Sequence, residues 1–149
     1  MVSICETSQY ENVLDPRGEN MKKRRDVLIY VAGAYTGDID GNILKARKVA
    51  IRIWELGFTV LCPHLNTANF QFDCKCNYDA YIEGDLTILK RCDGIFMLKD
   101  WAFSNGATIE HDVAYRLYLP VFYEDREGFE NLKQYSHWRR TYATTGKDK

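Results

Sequence analysis

Short apolar runs separated by longer stretches of three-to-four spacing organise most of this chain. Val27-Leu28-Ile29-Tyr30-Val31-Ala32-Gly33 is a continuous β-rich run ending at glycine, the pattern of a strand buried on both faces. A Gly/Asp-rich loop from Ala34 to Asn42 follows. Ile43, Ala46, Ala50, Ile53 and Trp54 then recur mostly at helical spacing, with Asn42 as the expected N-cap and Gly57 as the stop. Phe58 to Cys62 reads as a second strand, closed by Pro63. From His64 to about Asn77 no period is visible, and loops of that length in compact domains are functional lids or disordered. The spacing predicts a helix from Tyr78 to Arg91, with Tyr81, Ile82, Asp85, Leu86 and Leu89 on neighbouring rows. Gly94 to Leu98 is a third strand, Asn105 to Tyr118 a further helix, Pro120 to Tyr123 a fourth strand, and Phe129 to Trp138 a last helix.

Apolar strands alternating with helices specify βαβ units and a parallel sheet. The expected fold class is α/β: one three-layer, flavodoxin- or Rossmann-like domain with a parallel sheet of four to five strands. That domain spans 27–138, between a polar N-terminal arm at 1–26 and a polar tail at 139–149. The arm ends in Lys22-Lys23-Arg24-Arg25, which reads as a solvated segment, with a nucleic-acid or targeting tail as the alternative.

Composition narrows the partners. Lys and Arg number 20 against 21 Asp and Glu, a net charge of -1, which disfavours a nucleic-acid polymer as the main ligand. No apolar run approaches the ~18–20 residues that span a bilayer, so no membrane partner is expected. The five cysteines are an odd number in a chain without a signal-peptide pattern, which points to a reducing, cytoplasmic compartment.

Open parallel sheets bind ligands outside the carboxyl ends of their strands. Three stretches fall there: the Gly33–Asn42 loop, the His64 loop and the segment from Asp100 to Glu110. The first contains Gly33-Ala34-Tyr35-Thr36-Gly37, which is neither G-x-G-x-x-G nor a P-loop, so dinucleotide and triphosphate chemistry are disfavoured. Its Gly33 and Tyr35 remain candidates for ligand contact, since glycine lets a ligand approach the backbone; a tight structural turn would look the same.

In Ser104-Asn105-Gly106-Ala107-Thr108-Ile109-Glu110 a small-residue turn enters a helix that carries Glu110 beside Ala107 and Ala114. A carboxylate on such a face is costly unless it is used or paired. Near a helix N-terminus it is expected to stay ionised and to serve as a nucleophile. A solvent-facing helix glutamate has the same spacing. Asp85 is the second carboxylate, on a helix with an otherwise apolar face. Two carboxyl groups in unlike environments suit glycosyl chemistry, one attacking C1 of a sugar and the other managing the leaving-group proton. Asp93, just before a strand, reads as a cap or turn residue.

His64 follows Pro63 at a strand end, within reach of a ligand, though a lone histidine is more often a packing residue. Cys62, His64, Cys74 and Cys76 form C-x-H…C-x-C, tighter than the usual zinc spacing, so no metal and no cofactor are expected. Trp101 and Phe103 flank the candidate site and suit stacking on a base or, equally, core packing.

With these residues in place, the chain resembles the nucleoside 2-deoxyribosyltransferase superfamily, including the 2'-deoxynucleoside 5'-monophosphate N-glycosidases, and within it a small branch common in phages and prophages. The resemblance spans roughly residues 27 to 123. It rests on Ile29-Tyr30-Val31-Ala32-Gly33, Leu61-Cys62-Pro63-His64, Tyr81-Ile82-Glu83-Gly84-Asp85-Leu86, Cys92-Asp93-Gly94-Ile95 and Ser104 to Glu110. It implies that Glu110 is the nucleophile on C1' of a 2-deoxyribose, that Asp85 handles base and sugar protons, and that Tyr30 orients the nucleophile. It further implies that His64 lines the base pocket and that Ser104 and Gly106 bind the sugar or its 5'-phosphate. Homodimers or larger assemblies are the rule in the superfamily. Thr36 and Ala34 stand where the monophosphate hydrolases carry Arg and Ser, whereas Ser104 in place of an acidic residue points back to the nucleotide branch, so the 5' group stays open. The expected function is cleavage or transfer of the N-glycosidic bond of a 2'-deoxynucleoside or its 5'-monophosphate, with a small molecule as the ligand. The rivals are a nucleotide-binding module without turnover and an interaction protein with a relict site.

Overall fold

The computed structural model describes residues 24–138. The polar tail expected at 139–149 and residues 1–23 of the expected arm lie outside the described residues. Arg24 and Arg25, placed in the arm by their polar surroundings, are held by the body. Arg24 donates to the Leu56 and Lys133 carbonyls (3.3 and 3.4 Å), and Arg25 to the Phe58 carbonyl (2.8 Å).

Four strands, β1 (Leu28–Ala32), β2 (Thr59–Leu61), β3 (Gly94–Met97) and β4 (Val121–Tyr123), form an all-parallel sheet in the order β2-β1-β3-β4. The fold is therefore α/β and Rossmann-like, with four strands among the described residues. Helices α1 (Ile39–Glu55), α3 (Tyr78–Leu89) and α4 (Asn105–Arg116) make the crossovers, α2 (Pro63–Asn66) is a single turn after β2, and α5 (Gly128–Gln134) follows β4.

Strand β1 sits between β2 and β3, and Ile29 through Ala32 are at most 1% exposed. Alternate side chains leave opposite faces of a strand. Ile29 and Val31 accordingly join Ala46, Val49, Ala50 and Ile53 of α1 together with Phe96, Phe122 and Leu132, while Tyr30 and Ala32 join Ile95, Met97, Leu89, Ala107 and Ala114 beneath α3 and α4. A continuous apolar run thus serves two cores. Asp93 closes the entry to β1 and β3: its side chain accepts from the Leu28 amide and its amide donates to the Leu28 carbonyl, both at 2.8 Å.

Several boundaries differ from expectation. α1 starts at Ile39 because Asp38 is the cap, accepting from the Gly41 amide at 3.1 Å. Asn42 sits inside the first turn and donates to the Tyr35 and Thr36 carbonyls (3.2 and 3.0 Å), fastening the loop that it was expected to end. The segment after β2 is structured by α2 and a 3₁₀ turn at Phe70–Phe72. The last helix stops at Gln134, because Tyr135 is extended and Trp138 packs back on Phe58, Phe122 and Tyr135.

Ile53 is fully buried, whereas Ile51, two residues earlier on the same helix, is 40% exposed. Ile53→Ala is expected to lower the unfolding free energy by about 2–5 kcal/mol in urea titration and Ile51→Ala by about 0.5 kcal/mol or less.

Candidate active site

The strand order reverses between β1 and β3, and there the carboxyl ends of the strands open on a cleft of about 280 Å³. Gly33, Tyr35, Thr36 and Ile39 line it from the β1 side, Pro63, His64, Thr67 and Gln71 from the segment after β2, and Cys76 from the approach to α3. Tyr78, Tyr81, Ile82 and Asp85 of α3 form one wall; Ser104, Gly106, Ala107 and Glu110 form the other.

Glu110 is 6% exposed, and Oε1 accepts a 2.5 Å hydrogen bond from the hydroxyl of Tyr30, itself fully buried. Tyr30 reaches it because even positions of β1 face α4. It is absent from the lining and stands behind the carboxyl group. Desolvation pushes Glu110 up to about 8; the Tyr30 hydroxyl opposes this by favouring the charged form, and the Asp85 charge adds to it. The expectation that the helix N-terminus keeps Glu110 ionised is corrected here. Asn105 opens α4, so Glu110 lies in its second turn, where the dipole has faded and burial dominates. Asp85 is half-buried and is pushed by burial to about 6. Burial also raises the Tyr30 phenol far above its ordinary value, so it stays neutral and keeps the proton it donates to Glu110.

His64 is 4% exposed and spans two strand ends. Nε2 lies 2.8 Å from the Ala34 carbonyl, which only accepts, so the proton is on Nε2; Nδ1 faces the Cys62 sulfur at 3.9 Å. Burial lowers its pKa and keeps the ring neutral. Tyr35 packs edge-on against His64 with centroids 5.7 Å apart. Its hydroxyl donates to Gln71 Oε1 (3.0 Å) and accepts from the Asn69 amide (2.9 Å), which pins the loop after α2 over the cleft. Ser104 caps α4 through the Ala107 amide at 3.3 Å. Gly106 gives α3 room: a β-carbon there would come within 3.2 Å of the Tyr78 hydroxyl and Ile82.

Of the candidates named from sequence, Gly33, Tyr35, His64, Asp85, Ser104, Gly106 and Glu110 share this cleft, with Tyr30 behind it. Trp101, Asn105 and Phe103 do not. Trp101 stacks on His111 at 4.2 Å on another side of α4, where the His111 ring lies 2.7 Å from the Tyr123 hydroxyl. Phe103 is 91% exposed, and Asn105 is exposed and absent from the lining. No group of three or more His, Cys, Asp or Glu among the described residues is arranged to hold a metal ion. Tyr78, Tyr81 and Ile82 were missed as wall residues, although they share a helical face with Asp85. Thr67 and Gln71 carried no periodic signal.

Residues 27–123 match the family described as Domain of unknown function (DUF4406). The chain belongs to that family. Among solved structures, this DUF4406 chain is similar to a 2-deoxyribosyltransferase from the psychrotolerant bacterium Bacillus psychrosaccharolyticus. The two are 23% identical at a TM-score of 0.50, over 65% of this chain and 71% of that one. At that identity the likeness establishes a shared fold. Comparison with curated proteins finds no match. No helix among the described residues is long and apolar enough to cross a membrane.

Because folding raises the Glu110 pKa from 4.5 to about 8, the folded state holds that proton more tightly than the unfolded chain. Stability from this group is greatest below its unfolded value and drains away as the pH rises towards 8. Glu110→Gln, which does not titrate, is expected to melt close to wild type at pH 5. At pH 8.5 it should be more stable by on the order of 2–5 kcal/mol, read by calorimetry.

Proposed function

We propose that this protein cleaves the N-glycosidic bond of a 2'-deoxynucleoside by a retaining mechanism. The observation that carries the reading is the buried Tyr30–Glu110 pair at the floor of a cleft that Asp85 also lines. The choice of 2-deoxyribose is supported by the activity named for the fold relative. Aromatic and apolar walls from Tyr35, Tyr78, Tyr81, Ile82 and Pro63 suit a flat base. The lining among the described residues contains two carboxyl groups and no cationic side chain, which favours the uncharged nucleoside over its 5'-monophosphate.

In the proposed step the Glu110 carboxylate attacks C1', the C1'–N bond breaks, and its electron pair leaves with the base as Asp85 delivers a proton. Water then attacks the glycosyl ester and gives its proton to the Asp85 carboxylate, releasing the sugar and restoring Glu110. A second base in place of the water turns hydrolysis into transfer. Between about pH 6 and about pH 8 the two carboxyl groups hold one proton between them, mostly on Glu110, whose pKa is raised further. The active form has that proton on Asp85 and the charge on Glu110, the form that the Tyr30 hydroxyl stabilises. More acid solution protonates both groups and removes the nucleophile; more alkaline solution strips both and removes the acid.

Base release followed by chromatography is expected to show a bell-shaped pH profile bounded near 6 and 8. Glu110→Ala should lower the rate by about a thousandfold or more and Tyr30→Phe by roughly 10–100-fold, with the alkaline limb of Tyr30→Phe moved up. Full activity in Glu110→Ala would remove it as the nucleophile, and tight nucleoside binding without base release would make the domain a binding module. Adding a second free base separates transfer from hydrolysis.

A further inference from the structure

The approach to α3 carries two thiols that the glycosyl chemistry does not use. Cys76 lines the cleft, and its backbone amide donates to the Cys74 sulfur at 3.3 Å. Tyr81, one helical turn before Asp85, is also a wall residue. The Tyr81 hydroxyl is shut off from solvent and makes no hydrogen bond among the described residues, and Cys74 is first among the groups that raise its pKa to about 12. A thiol is a weak acceptor and a thiolate a strong one, so the Cys76 amide favours the ionised form of Cys74. Donors from Cys76 and Tyr81 lower the Cys74 pKa. Cys62 and Cys92, by contrast, are buried in apolar surroundings that push both thiols up to about 12.

We infer that Cys74 is a peroxide-reactive thiol and Cys76 its resolving partner, so that oxidation of the pair alters the wall of the cleft. The Cys74 thiolate attacks hydrogen peroxide, the O–O bond breaks, hydroxide leaves and a sulfenic acid remains. The Cys76 thiolate then attacks the Cys74 sulfur and expels hydroxide, giving a Cys74–Cys76 disulfide; peroxide is reduced to water and two thiols are oxidised. The disulfide draws the Cys76 side chain from the cleft wall towards Cys74. The thiol chemistry stands by itself; its consequence for turnover rests on the proposed glycosidase activity.

The test treats the full chain, Cys74→Ser and Cys76→Ser with hydrogen peroxide, followed by peptide mass mapping and the base-release assay. Wild type is expected to lose about 2 Da in the peptide holding both thiols, with Cys74 reacting at least about tenfold faster than Cys62 or Cys92. Cys76→Ser should accumulate a sulfenic acid at Cys74 that dimedone traps, and Cys74→Ser should form neither product. Base release should fall at least about fivefold in oxidised wild type, recover with dithiothreitol, and stay unchanged in peroxide-treated Cys74→Ser. Absence of both the crosslink and the dimedone adduct overturns the reactive pair. A crosslink with unchanged base release overturns its coupling to the cleft. Reduced protein that releases no base overturns the proposed activity, while the mass map still reports on the thiols.

Discussion

A carboxyl group that loses nearly all its water must be given a partner, and here the partner comes from the middle of the central strand. Tyr30 can reach Glu110 only because β1 is paired on both sides and its even positions face the helix that follows β3. The strand order, the small residues of α4 that bring it close to the sheet, and the seating of α4 at Ser104 all converge on that one hydrogen bond. Its effect is to moderate: desolvation drives Glu110 towards the neutral acid, and the phenol keeps the charged form within reach. A carboxyl group held near that balance changes protonation at modest cost, as a group that attacks and is then released must do.

Much of this was written in the hydrophobic pattern. The continuous run from Val27 to Gly33 marks a doubly buried strand, because a strand with helices on both faces has no polar side. Carboxyl groups on faces otherwise made of Ala, Ile and Leu are visible as anomalies, and both Glu110 and Asp85 stand out in that way. Periodicity does not say which flank of a helix a neighbouring loop covers. Trp101 therefore suited a base platform and core packing equally, and the structure packs it on the core with its ring stacked on His111, a residue on the helix it precedes. The segment from Thr67 to Cys76 is held by single hydrogen bonds such as Tyr35 to Gln71, and bonds of that kind leave no repeating trace in sequence.

The wall formed by α3 illustrates an intermediate case. Tyr78, Ile82 and Asp85 follow each other at four and three residues, so their common face could be read from spacing alone once Asp85 was suspected. The position of Tyr81 relative to Cys74 could not, because it depends on how the preceding loop turns back. Side chains set by helical geometry are legible early; those set by a loop lying over a helix wait for coordinates.

The two strand ends joined by His64 have a further consequence. Both of its ring nitrogens are engaged within the protein, Nε2 with Ala34 and Nδ1 facing Cys62. What remains for a bound molecule is the carbon edge and the π face of the ring. A residue normally valued for its charge therefore acts as a fixed aromatic tile. Burial disfavours a charge on this ring, so the field that a ligand meets across neutral pH owes more to the two carboxyl groups than to the histidine.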